Sequence, residues 1–167
     1  THSVVFGGFA PHELAIRIDD AKPKIIISAN YGIEFDKRIE YKPLLDRAID
    51  ESIHKPQNTI IVEREDMSID YKENYDLNYN HLMSNTIEEE PVPLYSTHPL
   101  YILYTSGTTG KPKGIVRDTG GYATALKFSM SHIYNVNPGD TFWSASDVGW
   151  VVGHSYIVFG PLLHGCT

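Results

Sequence analysis

The residues best equipped for chemistry stand together between Tyr104 and Gly114, in the stretch "YTSGTTGKPKG". A phosphate group needs backbone N–H donors that converge, hydroxyls that donate, and a cation on a mobile arm. Glycine lets a backbone approach its ligand closely. Thr105, Ser106, Gly107, Thr108, Thr109, Gly110, Lys111 and Lys113 supply all three kinds of group, directly after the apolar run Leu100 to Leu103. In α/β folds, ligands collect beyond the carboxyl ends of such strands. Spacing rules out a Walker A loop. Only Thr108 and Thr109 separate Gly107 from Gly110, and Pro112 stands where a magnesium-binding Ser or Thr would be needed. Pro112 also keeps Lys111 out of the helical region, so the loop is expected to be irregular. The plain alternative is a solvated Gly, Thr and Lys hairpin between two strands.

The elements around this loop read as an α/β fold. Pro11 opens a helix to about Ala21, and "IIIS", Ile25 to Ser28, reads as a buried strand. "YKPLLDRAIDESIHK" carries Leu44, Leu45, Ala48, Ile49 and Ile53 on one helical stripe, and "NTIIVE" is a second strand. Helix, strand, helix, strand predicts a parallel sheet with crossover helices. The polar stretch from Arg64 to His98 reads as a surface excursion with one short helix near Asp76 to Met83. "PLYILYT" is a strand before the loop, and "GIVRDT" after it can pair as another. Gly120 to Tyr134 reads as a helix, "DTFWSAS" as a strand and "WVVGHSYIVFGPLL" as an apolar helix.

Composition sets the outer limits. The 167 residues suffice for a real core, and a hydrophobic fraction of 41% is ordinary for a globular protein. A net charge of −7 without a basic block gives no electrostatic reason to expect nucleic acid or an anionic membrane as partner. No apolar run approaches the roughly 20 residues of a membrane helix, so the chain is expected to be soluble. Cys166 is the only cysteine, which excludes an internal disulfide and suits a reducing compartment. His154 and His164 lie in apolar surroundings without metal-ligand spacing and read as structural, and Asp147 reads as the cap of a helix beginning near Gly149.

"YTSGTTGKPKG" resembles the signature loop of the adenylate-forming enzymes, the superfamily of acyl-CoA synthetases, luciferases and peptide-synthetase adenylation domains. The resemblance implies an enzyme that joins a carboxylate to the α-phosphate of ATP, releases pyrophosphate, and passes the acyl group to a thiol. The residues Thr105 to Lys111 and Lys113 would then hold the β- and γ-phosphates, with Thr105 also near Mg2+. "HSVVFGGFAPHELAIRI" resembles the segment of acetyl- and propionyl-CoA synthetases that lies beside CoA, making Gly7 and Gly8 candidate contacts; a tight strand-to-helix turn is the plain reading of the same pair. "YGIEFDKRIEYKPLL" is similar to the stretch that holds the nucleotide end of CoA, often through two arginines. Here the matching positions are Glu34, Phe35, Asp36 and Lys37, with Arg38 beside them, so the first arginine is lost and two acids are gained; a solvated charged turn is the alternative.

"ASDVGWVVGHSYIVFGPLLHGCT" resembles the stretch of short-chain acyl-CoA synthetases that borders the carboxylate pocket. It places Trp150, Val151 and Val152 at the acyl group, with Val152 also near the CoA tunnel, where many acetyl-CoA synthetases carry threonine. Plain helix core is the competing reading for both valines. "RDTGGYATAL" resembles propionyl-CoA synthetases more than acetyl-CoA synthetases. The resemblance therefore implies an AMP-forming propionate-CoA ligase using ATP, Mg2+ and CoA. An acetyl-CoA synthetase is the same-fold alternative, and a non-catalytic nucleotide-binding module the alternative of another class. The chain would be part of the large N-terminal domain of such an enzyme, cut at both ends and inactive alone, with the C-terminal domain and its catalytic lysine outside it. Bacterial cytoplasm and mitochondrial matrix both suit such an enzyme.

Overall fold

Pro11 occupies the first turn of a helix and Lys22, in the left-handed conformation at φ 48°, closes its last one, delimiting α1 (Pro11–Ala21). The structure is a computed structural model that describes residues 1–64, 69–105 and 112–167. These form two compact units, Gly7–Glu90 and the segments Thr1–Phe6 with Pro91–Thr167.

In the unit Gly7–Glu90, α1 is followed by β1 (Ile25–Ala29), β2 (Tyr31–Glu34), β3 (Lys37–Glu40), α2 (Tyr41–Glu51), β4 (Asn58–Val62), β5 (Asp76–Asn78) and α3 (Tyr79–Ser84). The expected parallel sheet is present, in the order β1-β4-β5, with Ile25 opposite Asn58 and Thr59 opposite Asp76. Ile18 of α1, Leu45, Ala48 and Ile49 of α2 and Ile61 of β4 form its core. Three expectations change. The strand Ile25 to Ser28 is not buried: Ile26 packs against the core, while Ile25 and Ile27, on the opposite face of an edge strand, are 49% and 62% exposed. Ile53 leaves the apolar stripe because Ser52 is extended and ends α2; the Ile53 and His54 amides instead donate to Asp19. Asp76 to Asn78 is a strand, and the short helix starts only at Tyr79, capped by the Asn78 side chain. Residues 31–40 are an antiparallel hairpin, with Glu34 paired to Lys37 around the exposed two-residue turn Phe35-Asp36.

Beneath this sheet lies a charged group that no hydrophobic pattern reveals. Lys42, in the first turn of α2, is 5% exposed and donates to Asp46 at 2.6 Å and to Asp76 at 2.8 Å. Asp76 also accepts from the Thr59 hydroxyl and the Lys72 amide. Burial alone would raise the Asp76 pKa, but the donors from Lys42, Thr59 and Lys72 outweigh it and hold the carboxyl below its ordinary value. Burial alone would lower Lys42, yet its two carboxylate partners hold it above the ordinary lysine value.

The other unit is built on β6 (Pro99–Thr105) and β7 (Lys113–Asp118), an antiparallel pair, with His2 bridged in parallel to Tyr101 along β6. Asp118 caps α4 (Thr119–His132) by accepting from the Gly121 amide. The chain then runs to α5 (Val151–Gly153), a π-helical segment (His154–Phe159) and α6 (Gly160–His164). Tyr101, Leu103, Tyr122 and Leu126 make the core, flanked by Val4, Leu100, Tyr156 and Phe159. Two expectations are corrected here. Residues 140–146 form no strand: Phe142 donates to Thr167 and Thr167 to Asp140, and Trp143 is 82% exposed. The apolar helix over 150–163 is interrupted by the π-helical turn, which widens the backbone ladder. No helix among the described residues is long and apolar enough to cross a membrane.

In the intact protein, Lys42→Met should cost about 3 to 5 kcal/mol locally, because it leaves the buried Asp76 carboxylate unpaired. Faster amide hydrogen exchange in β4 and β5 would show it. With a depressed carboxyl pKa, the stabilisation from Asp76 is complete above about pH 4 and disappears as pH falls through the lower folded value. With a raised ammonium pKa, the contribution of Lys42 is complete below its ordinary value and lost only as pH rises through the higher folded one. Protection of the β4 amides, after correction for the intrinsic pH dependence of exchange, should therefore hold down to about pH 4 and fall as the pH drops further toward the folded value.

Candidate functional site

The glycine and lysine loop springs from a hairpin. Thr105 is the last residue of β6 and pairs with Lys113, the first of β7. Residues directly opposite in an antiparallel pair project from one face of the sheet, so the Thr105 hydroxyl and the Lys113 ammonium leave the same face, and both residues are exposed. Lys113 has no ion pair among the described residues. Gly114, one rung down, is required by packing: a Cβ there would come within 2.9 Å of Ile102. Ser106, Gly107, Thr108, Thr109, Gly110 and Lys111 lie outside the described residues. The loop therefore joins two antiparallel strands, and the stretch after it pairs with β6 as expected.

The candidates at 150–152 are not helix core. Trp150 is 61% exposed, Val151 48% and Val152 52%, whereas Gly153, His154 and Ser155 immediately after them are buried. Asp147 does not cap a helix from Gly149. Its carboxylate accepts from the Gly149 amide in a turn, and the helix begins at Val151 with Trp150 as an uncapped N-terminal neighbour. His154 and His164 are structural, as expected. The His164 ring contacts the Val136 carbonyl at 2.9 Å, and the His154 ring contacts the Val148 carbonyl at 3.2 Å and His2 at 3.0 Å. Burial lowers the pKa of both His2 and His154, and for His2 the neighbouring His154 adds to the effect.

In the unit Gly7–Glu90, the structure brings the two glycine-bearing segments onto one ring. Gly7 lies in a turn, and a Cβ there would strike the Tyr41 hydroxyl; Gly32 of β2 meets the same ring more closely still. Tyr41 follows directly on β3, so Gly7 and the hairpin that carries Glu34, Phe35, Asp36, Lys37 and Arg38 flank a common side chain. Gly8 sits in the exposed turn beside Gly7. Phe35 forms the tip of the hairpin at φ 53°, a conformation unusual for a bulky residue, and is 93% exposed. The Arg38 guanidinium lies 4.5 Å from the centre of the Tyr31 ring and that of Arg64 5.2 Å from the same ring. The motif expects two arginines here, and the sequence shows one. Arg64 was missed because it is 26 positions from Arg38 and is brought near only by pairing of β4 with β1, which places Arg64 over Asn30; the Asn30 side chain accepts from its amide. Among the described residues, no three His, Cys, Asp or Glu side chains converge as a metal site.

The whole chain, residues 1–167, matches the AMP-binding enzyme family. It is 52% identical to acyl-CoA synthetase short-chain family member 3, mitochondrial, of Homo sapiens, over 99% of this chain and 24% of that protein. It is 50% identical to the propionate-CoA ligase of Salmonella typhimurium, over 98% of this chain and 26% of that protein. The chain thus spans about a quarter of the length of the curated relatives it matches. Its fold is similar to that of acetoacetyl-CoA synthetase from Streptomyces lividans, with a TM-score of 0.81 at 22% identity, covering 95% of this chain and 24% of that one. By its match along the full length, this α/β chain belongs to the AMP-binding enzyme family.

Proposed function

We propose that the protein carrying this chain is an AMP-forming short-chain acyl-CoA synthetase that prefers propionate: propionate, ATP and CoA give propionyl-CoA, AMP and pyrophosphate. The observation that carries the reading is the hairpin rung at which Thr105 and Lys113 face each other across the mouth of the glycine-rich loop. The departing pyrophosphate gains negative charge, and a hydroxyl beside an ammonium that has no ion pair among the described residues suits it. Thr105, Ser106, Gly107, Thr108, Thr109, Gly110, Lys111 and Lys113 are the proposed phosphate-binding set, with Thr105 toward Mg2+ on the substrate. The exposed Trp150, Val151 and Val152 offer an apolar surface to a short acyl chain. Gly7, Gly8, the hairpin residues 34–38 and Val152 are proposed for CoA. Arg64 joins Arg38 as a second guanidinium for its phosphates, offsetting the arginine lost from the motif. The names of the human and Salmonella relatives support short-chain acids as substrates and propionate in particular.

The intact protein, assayed for AMP and pyrophosphate with each acid, should show kcat/KM for propionate above that for acetate by roughly 10- to 200-fold, the worth of one methylene in an apolar pocket. A preference for acetate would replace propionate by the smaller acid. Absence of carboxylate-dependent pyrophosphate exchange with ATP would favour the non-catalytic nucleotide-binding module. Lys113→Ala should lower kcat for adenylate formation by about 100-fold while leaving the fold intact, since the side chain is exposed. Turnover and ATP affinity that stay unchanged would mean that the loop binds no phosphate.

A further inference from the structure

The exposed residues Trp150, Val151 and Val152 rest on a backbone that is tied down from its buried side. The two residues that open the π-helical turn do the tying. The His154 ring, 2% exposed, has Nδ1 3.2 Å from the Val148 carbonyl; a carbonyl only accepts, so Nδ1 carries a hydrogen. In a neutral ring Nε2 then accepts, and its 3.0 Å partner is the Nε2 of His2, which donates. The Ser155 hydroxyl, in a residue 6% exposed, donates to the Val151 carbonyl at 2.6 Å. Its own oxygen accepts from the Tyr122 hydroxyl of α4 at 2.8 Å. The segment Val148 to Val151 is thus held at the carbonyls of both its ends, and between them the Trp150 amide donates to Asp147 and its carbonyl accepts from the His154 amide. Gly153 is pressed so close to the Asp147 carbonyl that no side chain fits there.

A serine that bonds back to the carbonyl four residues earlier is common in helices. The connection onward to Tyr122 is not local: it ties the turn to a different helix, 33 positions away, through a buried hydroxyl pair. We propose that Tyr122 and Ser155 are positioning residues for the acyl-binding segment, setting through the Val151 carbonyl where Val151 and Val152 stand and hence which short carboxylate is accepted. The proposal rests on the acid-activating reading of Trp150 to Val152 given above. Neither hydroxyl touches substrate. Tyr122 packs edge-on against Tyr101 and Phe159, so loss of its hydroxyl alone leaves the ring packing in place.

The test uses the intact protein and two variants, Tyr122→Phe and Ser155→Ala, measured with propionate, acetate and ATP. Each variant should raise the KM for propionate and change the propionate-to-acetate ratio of kcat/KM by about three- to tenfold, with the KM for ATP unchanged. The two substitutions together should do little more than either alone, because they interrupt one chain of hydrogen bonds. Variants with a lower melting temperature but an unchanged ratio of the two acids would overturn the positioning role and leave the acid-activating reading standing. A wild-type protein that activates neither acid would overturn that reading and this proposal with it. Ser155→Ala alone failing to fold would leave Tyr122→Phe, which keeps every ring contact, to decide the matter by the same ratio.

Discussion

The geometry of the glycine-rich loop's two ends depends on one rung of backbone pairing, Thr105 opposite Lys113. The rung sets both ends of the glycine-rich loop at once, because an antiparallel pair brings them side by side on a common face. It is held in turn by what packs beneath β6. Tyr101 and Leu103 alternate inward and are almost wholly buried against Tyr122 and Leu126, and His2 lies along the strand at Tyr101. A hairpin with one buried face has little freedom to slip, since a shift by one residue would turn Tyr101 and Leu103 outward. The apolar residues thereby fix the register that the polar loop uses.

In the unit Gly7–Glu90 the start of α2 does comparable work with two consecutive residues. Tyr41 fills the space left by Gly7 and Gly32, and Lys42 reaches inward to Asp76 and Asp46. A helix that rotated to relieve one contact would break the other. The buried ion pair is costly to desolvate and adds little net stability over an apolar pair of similar volume. Its effect is on geometry: it fixes the first turn of α2 against β5, and with it the side chain on which the glycine turn and the hairpin meet.

The parallel sheet was legible because its signals are local. β-branched runs and a helical stripe identify β1, α2 and β4 within a few residues of their bounds. The family was legible because the residue order of "YTSGTTGKPKG" is that of its signature loop. What escaped has a common cause. Lys42 and Asp76 are 34 positions apart, Arg38 and Arg64 are 26 apart, and Tyr122 and Ser155 are 33 apart; each pair exists only once the chain has folded. The hairpin at 31–40 was hidden by its charges, which sit on strands with two exposed edges and leave no alternation to read. Val151 and Val152 were placed at the acyl group by the resemblance, against the plain reading of helix core. Apolar residues in a helix are usually core, and only the packing of their neighbours shows that these two face outward.

In the proposed acyl-binding role, that outward face bears on selectivity. A valine pair on a flexible backbone would adapt to either of two acids that differ by one methylene, and the discrimination available from burying that methylene would be spent in rearrangement. Over six residues the chain passes from an exposed Trp150 to a buried His154 and Ser155, so the apolar surface is carried by a turn hydrogen-bonded from its buried side. The two residues that open the π-helical turn supply these contacts: the His154 ring meets the Val148 carbonyl and the Ser155 hydroxyl that of Val151. Rigidity is therefore supplied from behind the surface that would meet substrate, which leaves Val151 and Val152 without polar duties of their own.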